Sequence, residues 1–363
     1  MSEMTAKERL LNAMRGLEVD RTPWSPFLAY FWEHQPKEIQ QMGQFRYMQA
    51  LGADPLMRGF HTLFQTKMHR CEFRSETKNG ERCDFFETPL GTLQEVYTFS
   101  PAAESWFLTQ HAVKTEADFR ILQFIFENME VLPAPEAFER DAEQVGENGL
   151  YLPVIGANVK TAFQSLVERW CGTVNLTYAL FDFPEVVEEC LSAIRKRDRE
   201  TVLISLDSSA EGFIFWEDSS TTNISPDFFK TYTKPEIDEW GALIHSDGKL
   251  LIHHACGHLK NLLPLMKDTP IDMVESLSPP PTGNIDVRES FEILPENIGI
   301  IGGIEPTFFE NCTPDQLDNR VNELLSTGAG KRFILANSDS CPPGVTHEKF
   351  ERVTKCVQSY RHK

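Results

Sequence analysis

A histidine and a cysteine two positions apart, His254 and Cys256, have the residue types and spacing of metal ligands. They end the apolar run KLLIHHA (249–255), which is typical of a buried strand. Side chains two residues apart in a strand point to the same face, so the pair can bind one ion together. His253 points to the opposite face, and His258 is expected in the following helix. We therefore expect neither of these two histidines to join the pair.

Two further residues follow candidate strands and would converge on this pair in a barrel. Cys341 comes just after the run RFILAN, and Glu217 comes just after GFIFW. Two thiolates, an imidazole and a displaceable carboxylate favour zinc over magnesium or calcium. Asp339 and Asp218 are candidates to orient a ligand.

The same residues have simpler explanations. An unpaired cysteine is more often a small buried hydrophobic residue than a ligand, and Glu217 alone fits a strand-end surface carboxylate equally well. Residue spacing therefore leaves a zinc site open without establishing it. The other cysteines keep the simpler interpretation: Cys71, Cys83, Cys171, Cys190, Cys312 and Cys356.

The elements that would position these residues alternate between strand and helix. Eight apolar runs are candidate strands, and most precede a helical pattern: 24–31, 53–60, 150–157, 212–216, 249–255, 271–277, 298–303 and 332–337. This alternation predicts a single α/β domain over 1–363, a (β/α)8 TIM barrel whose chemistry lies at the carboxyl ends of its strands. A doubly wound sheet is the alternative, but no GxGxxG motif follows the first strands.

Two segments depart from this alternation. Thr5 and Glu8 have capping-box spacing before an apolar face, which predicts an N-terminal helical segment. Residues 67–98 carry an Asn79-Gly80 turn between alternating segments, which predicts an antiparallel meander of three strands. We expect this β-meander to be a small insertion at 65–100 within the barrel, because so short a segment buries little core alone.

Composition limits the classes of partner. The chain has 363 residues, of which 41% are hydrophobic, and its net charge is −19. It has no run rich in lysine and arginine and no apolar stretch near the roughly 20 residues of a membrane span. We therefore expect a cytoplasmic protein that binds neither nucleic acid nor membrane.

Longer stretches of the chain resemble the uroporphyrinogen decarboxylase superfamily, and in particular its zinc-dependent, corrinoid-linked methyltransferase branch. The resemblance covers nearly the whole chain and is carried by KERLLNAMRGLEVDRTP, ISPDFFKTYTKP, HHACGHLKNLLPLM, IGIIGGIEP and RFILANSDSCPPGVTHEKFERV. It implies that His254, Cys256 and Cys341 are zinc ligands and that Glu217 matches a further acidic ligand.

One stretch departs from the decarboxylases themselves. They carry an arginine-rich RQAGR-type motif after the first strand, where this chain reads WSPFLAYFWEHQP, with no arginine. A tetrapyrrole with many carboxylates would find few cations there. The resemblance therefore favours methyl transfer over decarboxylation.

The resemblance allows two directions of methyl transfer. In that branch zinc either lowers the pKa of a thiol acceptor or polarises the oxygen of a methyl ether. Tyr30, Trp32 and Trp216, with Asp339, are candidates to form an apolar pocket for a flat ring, although aromatic core packing explains each ring as well. We predict O-demethylation of an aryl methyl ether, with the methyl group moved to cob(I)alamin. A coenzyme M-like thiol acceptor is the close alternative, and a methylamine-linked system is also open.

The expected partners follow from this prediction. The chain shows no cobalamin-binding DxHxxG segment, so cobalamin is expected on a separate corrinoid protein that docks over the barrel mouth. A small-molecule methyl donor or acceptor is the other partner, and a homodimer is one option for assembly. A non-catalytic zinc-binding barrel is the alternative from another class, and would need a closed set of four ligands.

Overall fold

The chain folds, in a computed structural model that describes residues 3–101 and 104–360, as helices around a curled parallel sheet. Its strands are β1 (Leu56–Thr62), β2 (Phe64–Met68), β3 (Glu72–Lys78), β4 (Glu81–Thr88), β5 (Gly91–Ser100), β6 (Ser105–Gln110), β7 (Met129–Pro133), β8 (Leu150–Val154), β9 (Gly212–Glu217), β10 (Leu250–Ala255), β11 (Met273–Leu277), β12 (Gly299–Ile304) and β13 (Phe333–Asn337).

The helices fill most intervals between the central strands. They are α1 (Ala6–Arg15), α2 (Ala29–Glu33), α3 (Lys37–Gln40), α4 (Gln44–Ala50), α5 (Glu116–Glu127), α6 (Glu136–Val145), α7 (Ala162–Ser165), α8 (Thr173–Asp182), α9 (Pro184–Leu206), α10 (Pro226–Phe228), α11 (Lys234–Ser246), α12 (Leu263–Met266), α13 (Val287–Ile293), α14 (Pro306–Asn311), α15 (Pro314–Gly328) and α16 (His347–Ser359). A 3₁₀ turn spans Gly146–Asn148, and π-helical segments span Leu166–Trp170 and Phe229–Thr233. In the described ranges, none of the helices is long and apolar enough to cross a membrane.

The central sheet has seven parallel strands in the order β1-β8-β9-β10-β11-β12-β13. Because helices cover its outer face and the curl closes over its inner face, its strands are apolar on both sides. Phe213 and Phe215 of β9 pack outward, whereas Ile214 packs into the inner core. Seven of the eight predicted strands are therefore confirmed.

The prediction of a strand over 24–31 is wrong for most of its length. Trp24 forms an isolated parallel bridge to Leu335, and helix α2 begins at Ala29. Pro23 and Pro26 lack the N–H group that a strand ladder requires, so regular pairing stops within two residues. The short segment still joins both edges of the sheet: the Ser25 amide donates to Leu335 O (2.9 Å), and Asp54 N donates to Trp24 O (2.7 Å).

Helix α1 closes the amino-terminal end of the curled sheet. The Thr5 hydroxyl and the Glu8 carboxylate form the predicted capping box at its start. Its apolar face, with Leu10, Leu11 and Met14, packs in the same inner core as the strands. This amphipathic helix therefore contributes to the core inside the curled sheet as well as to the surface.

The predicted meander has four strands, not three. Strands β3, β4, β5 and β6 pair antiparallel over Glu72–Gln110, and Asn79-Gly80 forms the first turn with positive φ at both residues. The fourth strand, β6, lies beyond the 67–98 segment for which the meander was predicted. Phe86 and Leu93 on the inner face are buried in the main core, so the meander packs on the helical layer. Its status as an insertion with bounds 65–100 stays a prediction.

Candidate metal centre

The histidine and cysteine pair lies at the carboxyl end of β10. His254 points to the inner face, as Ile252 does, and is 5% exposed, while Cys256 follows one residue after the strand and is half-buried. His253 points to the outer face, where its ring stacks on Phe215 at 4.3 Å. The strand thus separates the neighbouring histidines as the alternation of side chains requires.

Asp339, which follows β13, completes a cluster with this pair. One potential ligand atom from each of His254, Cys256 and Asp339 lies within 4.8 Å of the others. We predicted Asp339 as an orienting or pocket residue, and the structure brings its carboxylate to the pair itself. The imidazole, thiol and carboxylate are a donor set that zinc binds in proteins.

The histidine ring is fixed from behind by a buried ion pair. His254 Nδ1 lies 2.8 Å from Glu275 Oε2, and Arg58 Nε contacts the other carboxylate oxygen. Arg58 and Glu275 are each 2% exposed, and the guanidinium also packs 5.0 Å from the ring centre of Phe27. Sequence reasoning missed both residues, although a lone carboxylate in the apolar strand MVESL was a usable signal. Since Glu275 takes Nδ1, Nε2 is the nitrogen left for a metal ion.

Burial and these contacts shift both titrating groups of the pair. Burial lowers the pKa of His254, but hydrogen bonds with Cys256 and Glu275 outweigh it and raise that pKa to about 10. Burial raises the pKa of Cys256; the hydrogen bond and charge of His254 oppose this shift, and the charges of Asp339 and Asp218 add to it. Without a metal ion, the pair therefore holds its protons at neutral pH.

Cys341 does not join the cluster in this structure. Its side chain is fully buried, its amide donates to Phe27 O (3.1 Å), and its carbonyl accepts from Phe31 N (2.8 Å). Burial raises the pKa of this thiol well above its ordinary value. The loop after β13 turns Asp339 toward His254 and turns Cys341 toward helix α2. The role of Cys341 as a ligand stays a prediction.

Glu217 also lies apart from the pair. It shares the outer face of β9 with Phe215, and its carboxylate accepts hydrogen bonds from the Thr161 amide (3.0 Å) and hydroxyl (2.6 Å). The other oxygen contacts His253 Nε2 (3.1 Å) and Ser219 Oγ (3.0 Å). The structure therefore gives this side chain four partners on the opposite side of the sheet from His254. Its backbone carbonyl, however, accepts the Cys256 amide at 3.2 Å.

Aromatic rings surround the histidine, but they are not all the predicted ones. Trp216 stacks on His254 with ring centres 5.2 Å apart, and Phe27 packs edge-on to both rings, at 5.6 Å and 6.0 Å. Of the predicted pocket residues, Tyr30 is 50% exposed on helix α2, and Trp32 packs on Tyr47. These contacts do not place either ring against His254, and the pocket role of Tyr30 and Trp32 stays a prediction.

His258 lies in the loop after β10, not in a helix as predicted. Gly257, with φ of +88°, turns the chain, and regular helix begins only at Leu263. The His258 amide donates to Ser220 Oγ (3.0 Å), and the His258 carbonyl accepts from Thr221. This loop is thereby attached to the loop after β9.

These residues fit a metal ion by chemistry and by placement. Three donors of the types that zinc prefers converge at the carboxyl ends of parallel strands, where barrel enzymes carry their sites. A carboxylate fixes the ring of the histidine, which is the usual outer support of a metal-binding imidazole. Fold and site thus define an α/β protein with a candidate metal centre at the open end of a curled parallel sheet.

The chain belongs to the uroporphyrinogen decarboxylase family. The model of this family, uroporphyrinogen decarboxylase (URO-D), matches residues 147–360, which include every strand of the central sheet except β1. The resemblance predicted from sequence motifs is therefore confirmed at the level of the family.

Relatives of two kinds are found. The uroporphyrinogen decarboxylase of Parasynechococcus marenigrum (strain WH8102) is 25% identical over 221 residues, and this chain spans 59% of its length. The methylcobamide:CoM methyltransferase MtbA of Methanosarcina mazei is 21% identical over 384 aligned positions that cover both chains fully. A solved structure of a methyltransferase from Methanosarcina mazei matches with a TM-score of 0.64 and 14% identity, covering 98% of this chain and 99% of that one. This structural likeness establishes the fold.

Proposed function

We propose that the protein is a zinc-dependent, corrinoid-linked methyltransferase. The observation that carries this proposal is the cluster of His254, Cys256 and Asp339 at the open end of the sheet. The full-length similarity to the methyltransferase MtbA supports it, since the decarboxylases match only about three-fifths of their length. We further propose that the segment around Trp24, which bridges β13 and β1, completes an eight-stranded barrel.

The residues of the site have separate roles in this proposal. His254 and Cys256 would hold zinc, with Asp339 as third ligand in the arrangement described here and Cys341 as the alternative that the resemblance implies. When bound, zinc would supply Lewis acidity to a methyl ether oxygen or to a thiol. Glu275 keeps Nδ1 of His254 occupied, so the ring presents Nε2 and cannot rotate freely.

We propose an aryl methyl ether as the methyl donor. Trp216 and Phe27 place two aromatic rings beside His254, and such rings favour a flat apolar substrate. The alternative is a coenzyme M-like thiol acceptor, which the similarity to MtbA favours. In either direction cobalamin would be carried by a separate corrinoid protein.

Decarboxylation is the less favoured function because two cations near the carboxyl ends of the strands are already paired with carboxylates. Arg58 is paired with Glu275, and Lys160 is paired with Glu168. Asp218, whose pKa is raised by burial and by the nearby Glu168 charge, adds no cation there. A substrate with many carboxylates would therefore find little positive charge to bind it.

The test follows the absorption spectrum of cobalamin with the zinc-loaded protein. Cob(I)alamin is mixed with methoxyarenes or methylamines, and methylcobalamin is mixed with thiols. We expect methylcobalamin to form from a methoxyarene. If thiols demethylate methylcobalamin and no donor methylates cob(I)alamin, the thiol alternative is favoured instead. If the cobalamin spectrum changes in none of these mixtures, methyl transfer is contradicted.

Zinc content tests the ligand set apart from activity. Cys256→Ser should lose bound zinc, whereas Cys312→Ser, a matched change at a buried cysteine after α14, should retain it. Asp339→Asn and Cys341→Ser then identify the third ligand. A Cys256→Ser protein that binds one zinc with unchanged affinity would contradict the proposed centre.

A further inference from the structure

The loop between β8 and α7, residues 155–161, folds back over the open end of the sheet. Val159 has a φ of +60°, which is strained for a β-branched residue, and its carbonyl accepts the Trp216 amide at 2.8 Å. Its side chain packs with Trp216 against the inner core. The loop therefore contacts the strand end next to His254. Because Val159 is strained, other contacts must stabilise the loop in this conformation.

Side chains from the helical layer hold both ends of the loop. The Ala157 amide donates to Asp198 Oδ1 of α9 (2.7 Å), and the Ala162 amide donates to Glu236 Oε2 of α11 (2.9 Å). The Gly156 amide donates to Thr201 Oγ1 of the same helix α9 (2.9 Å). These bonds attach the loop at three backbone positions.

The two acidic side chains are buried against each other. Asp198 is fully buried and Glu236 is 3% exposed, and their second oxygens, Asp198 Oδ2 and Glu236 Oε1, are buried with no other hydrogen-bond partner among the described residues. The two carboxyl groups shift each other's pKa, so they are close enough that they do not readily ionise together, which favours one shared proton. Arg195 is the charged group that faces them: its Nε lies 4.0 Å from Glu236 Oε2, and it also faces Glu188 at the surface (3.8 Å). The residues whose amides bond to the pair, Ala157 and Ala162, carry no titratable side chain.

We infer that Asp198 and Glu236 are positioning residues that share one proton and thereby hold the 155–161 loop against the metal centre. With one proton, each carboxyl group can accept a loop amide while the two bond to each other. The same loop delivers Thr161 to Glu217, whose carbonyl accepts the Cys256 amide. The attachment thus extends from the helices to a residue of the proposed site. Its importance for methyl transfer rests on the proposed function, whereas the attachment itself does not.

Because the buried pair binds a proton more tightly than the exposed pair, the closed conformation of the loop should become less stable as the pH rises. Burial raises the pKa of Asp198 from 3.8 to about 7, and burial and the Asp198 charge raise that of Glu236. Opening of the loop exposes the pair to water and returns these pKa values toward their ordinary range. Above about pH 4 the open state has released both protons whereas the closed pair keeps one, so the opening equilibrium rises roughly tenfold per pH unit until the closed pair also loses its proton.

The experiment measures hydrogen exchange of the loop amides in the full chain from pH 5 to 8, corrected for the intrinsic effect of pH on exchange. We expect protection of Ala157 and Ala162 to fall as the pH rises through this range. In Asp198→Asn, the amide group can donate to Glu236 and its oxygen can accept from Ala157 without a titrating proton, so protection should be independent of pH. Glu236→Gln makes the same test from the other helix, in case one variant fails to fold.

Thr201→Val is the matched control, because it removes a loop hydrogen bond without changing a titrating group. It should lower protection by the same factor at every pH. A flat pH profile in the natural sequence, or an unchanged profile in both Asp198→Asn and Glu236→Gln, would overturn the inference. If the exchange pattern is found but no methyl transfer is detected, the proposed function fails and the attachment stands.

Discussion

Replacement of Gly59 by alanine tests whether the Trp216 ring is positioned by the backbone of β1. Gly59 has a φ of +79°, and a Cβ atom there would lie 2.3 Å from Cζ2 of Trp216. Because strand β1 approaches the indole so closely, the ring can stack on His254 only if residue 59 has no side chain. We expect Gly59→Ala to displace the ring.

Gly80 provides a matched control for the loss of stability expected at Gly59. Gly80 has nearly the same φ, +78°, but nothing lies within 4 Å of its added Cβ. The left-handed conformation alone costs an alanine about 1–2 kcal/mol at either position. Overpacking against Trp216 adds about 1–3 kcal/mol at Gly59, so its unfolding free energy should fall by about 2–5 kcal/mol in total.

Urea unfolding of both variants measures this difference, and zinc titration measures its effect on the site. Gly59→Ala should also weaken zinc binding, since the displaced ring no longer fixes the His254 imidazole. In a Trp216→Phe background, which lacks the clashing atoms, the cost of Gly59→Ala should approach that of Gly80→Ala. Equal costs for Gly59→Ala and Gly80→Ala in the natural sequence would refute the reasoning.

Three further results are expected. Glu275→Gln should lower the unfolding free energy by about 3–5 kcal/mol, because it leaves the buried Arg58 charge unpaired, and Arg58→Met should restore part of that loss in a double-mutant cycle measured by urea unfolding. Cys341 should react with iodoacetamide far more slowly than the partly exposed Cys83 in metal-free protein, and equal rates measured by mass spectrometry would contradict its burial. Zinc affinity should rise by about two orders of magnitude per unit of pH near neutrality, since binding must displace a proton from His254 and another from Cys256; a titration at pH 6, 7 and 8 with no such rise would exclude these ligands.

Much of the framework could be predicted because apolar runs and turn residues act locally. The seven central strands coincide with largely apolar runs, and the capping box at Thr5 begins a helix as its spacing requires. The alternation of side chains in β10 separated His254 from His253 correctly. These features depend on neighbours within a few positions, which the sequence displays directly.

Residue types and spacing predict the site less well, because contacts between separate strands and loops decide where its side chains lie. Trp216 and Glu217 are adjacent in one strand, so both could not face the same site, and strand alternation alone argued against that pairing. In the loop after β13 (residues 337–341), the backbone conformation decides whether Asp339 or Cys341 reaches His254. The residue types alone do not predict that conformation. Glu275 and Arg58 come from separate strands, and only the curl of the sheet brings them behind the histidine.

The helix that fills the amino-terminal end of the sheet has a kinetic consequence. With Leu10, Leu11 and Met14 packed into that end, a small molecule reaches His254 through the opposite, carboxyl end. A corrinoid protein docked there would cover the same entrance. In the proposed reaction the small substrate must therefore enter before the protein partner binds, and its product must wait until that partner leaves. Steady-state measurements should show this compulsory order, in which a saturating partner slows turnover by trapping the empty enzyme.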